Sequence, residues 1–169
     1  KKPLAEDVDL RTVARGTAGF TGADLENLTN EAALLAARRG DKFVRGQDMK
    51  DAVIKVIAGP EKKSRGITEA ERRLTAYHEA GHALVIHALP SQDPVHQITI
   101  IPRGRAGGCT MTLPKEDRYY ATKATMREQI IHLLGGRVAE LLTLDDISTG
   151  ASNDIQRATE IAKDMVTKY

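Results

Sequence analysis

The pentapeptide His78-Glu79-Ala80-Gly81-His82 constrains this chain more than any other stretch. It lies in the run from Thr68 to Leu89, where Thr68 and Glu71 have capping-box spacing, Leu74, Val85 and Ile86 extend an apolar face, and Pro90 supplies a stop. That pattern predicts one amphipathic helix. Helical residues four apart share a face and sit about 6 Å apart along the axis, so both imidazoles can reach one metal ion. Two neutral imidazoles form a donor pair for a zinc-type ion, and Glu79, one step round, can take a proton from water. The chemistry this implies is metal-assisted hydrolysis. Gly81 costs a helix about 1 kcal/mol relative to Ala, so its presence predicts a close approach by another element.

Composition limits the alternatives. A chain of 169 residues, 41% hydrophobic and 28% charged, fits one ordinary globular domain or two small ones with a core. A net charge of +2, with no basic stripe interleaved with aromatic residues, argues against nucleic-acid binding. The single cysteine, Cys109, excludes an internal disulfide framework, fits a reducing compartment and leaves no thiolate cluster for a metal; it reads as a small strand residue. No run of 18 apolar residues and no signal peptide is present, so the chain as given reads as soluble. Both ends read as cut, since Lys1 is not an initiator Met and Met165 to Tyr169 stop in mid-helix.

Taken in order, the chain is mainly helical. Asp9 is placed to cap a helix over Leu10 to Arg15, and Gly16, Gly19 and Gly22 then break it. Thr21 and Asp24 mark a second helix with Leu25, Leu28, Ala32, Leu35 and Ala36 on one face, ending at Gly40. A third runs from about Gln47 to Ile57 and stops at Gly59-Pro60. Residues 1–60 are expected to form a small helical domain, residues 61–67 a charged linker, and residues 68–169 a second domain opened by the histidine-bearing helix. Within that second domain, residues 95–101 alternate as a strand, Pro102 to Gly108 make a turn and Cys109 to Leu113 return, a small β-hairpin. Thr125 and Glu128 have capping-box spacing before a helix through Leu142 that carries Gly135-Gly136, which permit close packing or a bend. The small polar stretch Ser148 to Asp154 leads into a last helix with Ile155, Ala158, Ile161, Ala162 and Met165 on its apolar side. His87, His96 and His132 have no metal-ligand spacing to a partner.

Several of these stretches together resemble one family, the FtsH-type ATP-dependent AAA+ zinc metalloproteases. Gly19 to Leu25 and Asn30 to Leu34 are similar to the helical lid of its ATPase module; His78 to His82, Ile100 to Gly104, Gly135 to Glu140 and Ser148 to Asp154 are similar to its peptidase domain. The resemblance implies a mainly α fold: an AAA+ lid over residues 1–60, then a mostly helical zinc peptidase domain, C-terminally truncated. It also implies Zn2+, with ATP and Mg2+ only in the full-length protein, where the Gly22-Ala23 region approaches the nucleotide. Protein substrates, a homo-hexamer, a membrane anchor outside this chain and a place on the cytoplasmic face of the cell membrane follow from it as well. No G-x-x-x-x-G-K-[ST] phosphate loop is present, so the lid is not expected to hydrolyse ATP alone.

A catalytic site with three protein ligands needs one beyond the two histidines. From the residues alone Glu140, Asp145, Asp146 and Asp154 are open. Glu140 could instead orient a ligand histidine, and Asp154 could be only a helix-start residue, although the small residues before it would let that helix end come near a metal. The resemblance selects Asp154. The reading is therefore His78, His82 and Asp154 as metal ligands and Glu79 as the catalytic base. The alternative is an inactive lid-and-scaffold fragment holding a structural metal.

Overall fold

The computed structural model describes residues 2–61, 66–103, 106–114, 118 and 120–169. It is mainly helical, with one two-stranded antiparallel sheet, and divides into two compact units, Lys1–Glu61 and Lys62–Tyr169. Most of the expected linker, residues 62–65, and the centre of the hairpin turn, Gly104 and Arg105, lie outside the described residues.

The first unit holds α1 (Leu10–Arg15), α2 (Gly22–Arg38) and α3 (Gly46–Ala58). Local chemistry sets their ends. Asp9 accepts from the Arg11 N–H, and Thr21 and Asp24 satisfy each other's backbone N–H in a full capping box, so Gly22 opens α2 instead of breaking the chain. Leu28, Ala32 and Ala36 of α2 pack with Met49, Ala52, Val53 and Ile54 of α3 into a buried core. A parallel bridge between Leu4 and Val44 brings the N-terminal segment against this pair. Fully buried Asp48 binds the loop between α2 and α3: it accepts from Arg39 Nη1 at 2.5 Å and Nη2 at 2.8 Å, and from the Arg45 amide at 2.8 Å.

In the second unit the chain runs through α4 (Glu69–Ala88), β1 (Val95–Thr99), β2 (Cys109–Thr112), α5 (Lys123–Leu144), a 3₁₀ turn (Thr149–Ala151) and α6 (Ser152–Thr167). The capping box of Thr68 and Glu71 forms as the spacing predicts. At α5 the spacing misleads. The cap is Thr122, which accepts from the Thr125 amide, while the Glu128 carboxylate accepts from the amide and hydroxyl of Ser91. Ser91 lies 37 residues away, and that tertiary partner outcompetes the local cap. At the other end of the unit, α6 closes at Thr167, where the Lys168 amide donates to the Asp164 carbonyl.

Helices α4 and α5 make the tightest approach. A Cβ on Gly81 would lie 2.5 Å from both Ala139 Cβ and the Gly135 carbonyl oxygen, and one on Gly135 would lie 3.0 Å from the Gly81 oxygen. The paired glycines therefore serve packing: two backbones touch where any side chain would hold them apart. Strands β1 and β2 pair with Ile98 opposite Thr110 and Thr99 opposite Cys109, and a bulge lies between Val95 and Gln97. Their alternation puts Gln97 and Thr99 on the more buried side and leaves His96 and Ile98 exposed. No helix among the described residues is long and apolar enough to cross a membrane.

Candidate metal centre

Within α4, His78, Glu79 and His82 are all buried, although α4 is a polar helix overall. Each imidazole is aimed from behind. His78 Nδ1 lies 2.7 Å from Glu140 Oε1, and His82 Nδ1 lies 2.8 Å from the backbone carbonyl of His132. A carbonyl oxygen and a carboxylate accept and do not donate, so both Nδ1 atoms carry the proton and both Nε2 atoms present a lone pair. The two Nε2 atoms stand 3.0 Å apart, and Asp154 Oδ2, in the first turn of α6, is 3.4 Å from each.

Three acceptor atoms thus converge on one point, and with both rings neutral no donor lies between them. Like partial charges at that range repel unless a cation or a proton intervenes. A tetrahedral ion with ligands at about 2.0–2.2 Å requires ligand atoms about 3.3–3.6 Å apart, and the two oxygen–nitrogen edges fall in that range. The donor set, its spacing and the forced direction of its lone pairs fit a zinc-type ion held by His78, His82 and Asp154. Burial opposes the charged form of His78, but Asp154 and Glu140 outweigh it and raise its pKa. Burial likewise opposes ionisation of Asp154, yet its bonds to His78 and His82 hold the carboxyl far below the usual carboxylate range.

Glu140 has no exposed surface and sits away from the point of convergence; besides His78 it accepts from the Ser148 amide at 2.7 Å and the Ser148 hydroxyl at 3.1 Å. Of the open acidic candidates, then, Asp154 joins the histidines, while Glu140 orients one of them. Asp145 and Asp146 do neither: Asp145 closes α5 in a left-handed conformation and Asp146 accepts from the Ile147 amide. Gly136 makes room for the cluster, since a Cβ there would lie 2.6 Å from the rings of both His78 and His82.

Glu79 faces β2. Its carboxylate accepts from the Thr110 hydroxyl at 2.7 Å, and burial pushes its pKa up, with the Thr110 bond and the nearby imidazoles opposing that rise. The strand reaches it because of Gly108, whose absent Cβ would lie 2.7 Å from Thr75 Cγ2 and 2.8 Å from Glu79 Cγ. Sequence reasoning missed Thr110, Ser148 and the His132 carbonyl. The glycines Gly108 and Gly136 were the readable signals of close approach, but neither names the group that approaches. His132 is a half-buried α5 residue whose ring meets that of His82 edge-on, while His87 and His96 are exposed. In the first unit, Gly22 and Ala23 open α2; Ala23 borders a shallow groove with Lys2, Glu26, Asn27 and Asn30.

Each of the two units overlaps the match to a known family model. Residues 7–51 match the AAA+ lid domain, and residues 65–169 match the model of peptidase family M41, to which this chain belongs. It is 64% identical over 99% of its length to the ATP-dependent zinc metalloprotease FtsH of Caldicellulosiruptor bescii, of which it covers 27%. Similar relatives are ATP-dependent zinc metalloprotease FtsH 2 of Alkaliphilus metalliredigens, 66% identical over 99% of this chain and 24% of that protein, and FtsH 1 of a Thermoanaerobacter species, 64% identical over 99% and 28%. The chain therefore spans about a quarter of the length of these curated relatives, and the resemblance read from its motifs is borne out.

Proposed function

We propose that this chain carries the peptide-hydrolysing centre of a zinc-dependent, ATP-dependent protease of the FtsH type, with His78, His82 and Asp154 as metal ligands and Glu79 as general base. The observation that carries the reading is the convergence of three lone-pair donors whose directions are fixed from behind by Glu140 and the His132 carbonyl. A bound zinc ion supplies Lewis acidity toward water and the scissile carbonyl. The protein's own groups do the rest. Glu79 takes a proton from the attacking water and passes it to the leaving amine nitrogen, and burial, by raising its pKa, suits the carboxylate to that exchange. Glu140 keeps His78 in the tautomer that offers Nε2, and Asp154 brings a negative charge that favours a dication.

In the full-length protein we place this centre in a homo-hexamer anchored to the membrane, on its cytoplasmic side, degrading membrane and unstable soluble proteins. There the Gly22-Ala23 end of α2 contacts nucleotide bound by the ATPase core. The competing reading, a scaffold with a structural metal, calls for a fourth protein ligand; among the described residues the donor group comprises His78, His82 and Asp154. In the full-length protein, Glu79→Gln should retain zinc and lose cleavage of an unfolded protein such as casein by about 10²–10⁴-fold, whereas His82→Ala should lose zinc itself. Cleavage by Glu79→Gln at the parent rate would overturn the assignment.

A further inference from the structure

Among the described residues, the Glu79 carboxylate has a single hydrogen-bond partner, the hydroxyl of Thr110. That hydroxyl lies 2.7 Å from Glu79 Oε2 and 3.1 Å from the Glu79 backbone oxygen. It owns one proton, and the shorter, charge-assisted contact is the one that proton serves when the carboxylate is ionised. Thr110 is itself fixed. It stands opposite Ile98 in the sheet, its β-branched side chain has few rotamers, and β2 is pressed onto α4 at Gly108, where no side chain separates strand from helix.

We propose that Thr110 is a positioning residue for the general base: by holding Oε2 it fixes the Glu79 carboxylate and leaves Oε1 as the oxygen that receives the proton from water. This rests on the assignment of Glu79 above and adds to it the group that aims the base. The arrangement serves both protonation states. With the proton on Oε1, Oε2 becomes a carbonyl-type oxygen and still accepts from Thr110, so the carboxyl need not rotate between taking the proton and delivering it. A base free to rotate about its terminal torsion would spend part of its time with neither oxygen aligned, and misalignment of a reacting group by an ångström costs up to a hundredfold in rate.

The test uses the full-length protein loaded with zinc, a quenched-fluorescence peptide and casein, and the variants Thr110→Val, Thr110→Ser and Thr110→Ala, with Glu79→Gln as reference. Thr110→Val keeps the shape and the strand preference and removes only the hydroxyl. The expected result is a fall in kcat of about tenfold to a hundredfold with KM within twofold, zinc content and thermal unfolding unchanged, and recovery to within about threefold in Thr110→Ser. Thr110→Ala should match Thr110→Val, which covers the case in which valine disturbs the strand. Affinity for a peptide hydroxamate, measured by calorimetry, should fall several-fold in Thr110→Val, because the proton released on binding goes to a base no longer held in place. The proposal is overturned if Thr110→Val cleaves like the parent, if serine fails to rescue, or if the loss follows loss of zinc. Inactive Glu79→Gln beside a fully active Thr110→Val would sink the positioning role alone; an active Glu79→Gln would sink the underlying assignment, and the positioning role with it.

Discussion

Among the described residues, each unit of this protein buries one carboxylate completely, Asp48 in the first and Glu140 in the second, and the two are satisfied in opposite ways. Asp48 accepts from a guanidinium that is always charged and is itself 44% exposed. Its other bond goes to the Arg45 amide, so one side chain ties the C-terminal cap of α2 to the N-terminal cap of α3. Glu140 accepts from an imidazole N–H, an amide and a hydroxyl, none of which carries a fixed charge. Its negative charge is therefore left to act on His78, fixing the tautomer and raising the basicity of the ring. A buried acid paired with a permanent cation holds a turn together, and one surrounded by neutral donors tunes a neighbour. Burial alone does not distinguish them; the partners do.

The sharpest way to break this contrast is to remove charges one at a time and read zinc retention after dialysis, with helicity monitored throughout. Asp154→Asn should have the largest effect, loss of bound zinc, because it removes a proposed ligand. Glu140→Gln should weaken zinc binding about 10–100-fold, and because the new amide nitrogen must face either the Ser148 amide or the His78 N–H it should also lower stability by about 1–3 kcal/mol. Loss of zinc by the Glu140 variant with retention by Asp154→Asn would reverse the two assignments. Asp48→Asn should differ from Glu140→Gln in the zinc readout: zinc affinity unchanged, and stability lowered by about 2 kcal/mol, toward the lower part of the range for hydrogen bonds to charged groups because Arg39 is partly solvated. Denaturant unfolding followed by circular dichroism reads this directly.

Acid titration sharpens the comparison further. The Arg39 bond and the Arg45 amide hold the Asp48 carboxyl below its usual value despite burial. A carboxylate whose pKa is depressed on folding contributes stability above its unfolded pKa, about 3.9, and that contribution is lost as pH falls through the folded value. Unfolding free energy measured from pH 5 downward should therefore decline more steeply in the parent than in Asp48→Asn; parallel curves would show that Asp48 is not a stabilising acid. The smallest expected effect is at Thr122, where replacement by Ala should cost about 1 kcal/mol through loss of the α5 cap, while Glu128→Gln, at the spacing-predicted cap, should loosen the Ser91 contact and leave the helix end intact.

What could be read from the sequence divides along the same line as these interactions. The capping boxes at Thr21 and Thr68, the helix stop at Gly59 and the histidine pair depend on residues three or four apart, and such spacing is visible in a string of letters. The bond from His78 to Glu140 spans 62 residues, and that from Thr110 to Glu79 spans 31. These exist only because Gly81, Gly108, Gly135 and Gly136 allow elements to touch, and a glycine advertises room without naming what fills it. Residues alone could not choose between Asp154 and Glu140 for the same reason, since both are acids on helices at a distance fixed by packing. The start of α5 went astray because a remote serine claimed the glutamate of an apparent local cap.

The partner of His82 is a main-chain oxygen, and this has a consequence for how the centre can change over generations. A side-chain partner is deleted by one substitution; a carbonyl is carried by every amino acid. Position 132 can therefore exchange histidine for other residues that keep α5 helical without depriving His82 of its acceptor. The orientation of that ring is stored in the spacing of two helices, held by Gly81 against Gly135. Transplanting this chemistry onto another scaffold would thus mean copying a helix crossing to within a fraction of an ångström, since no residue at position 132 could be carried over to stand in for it.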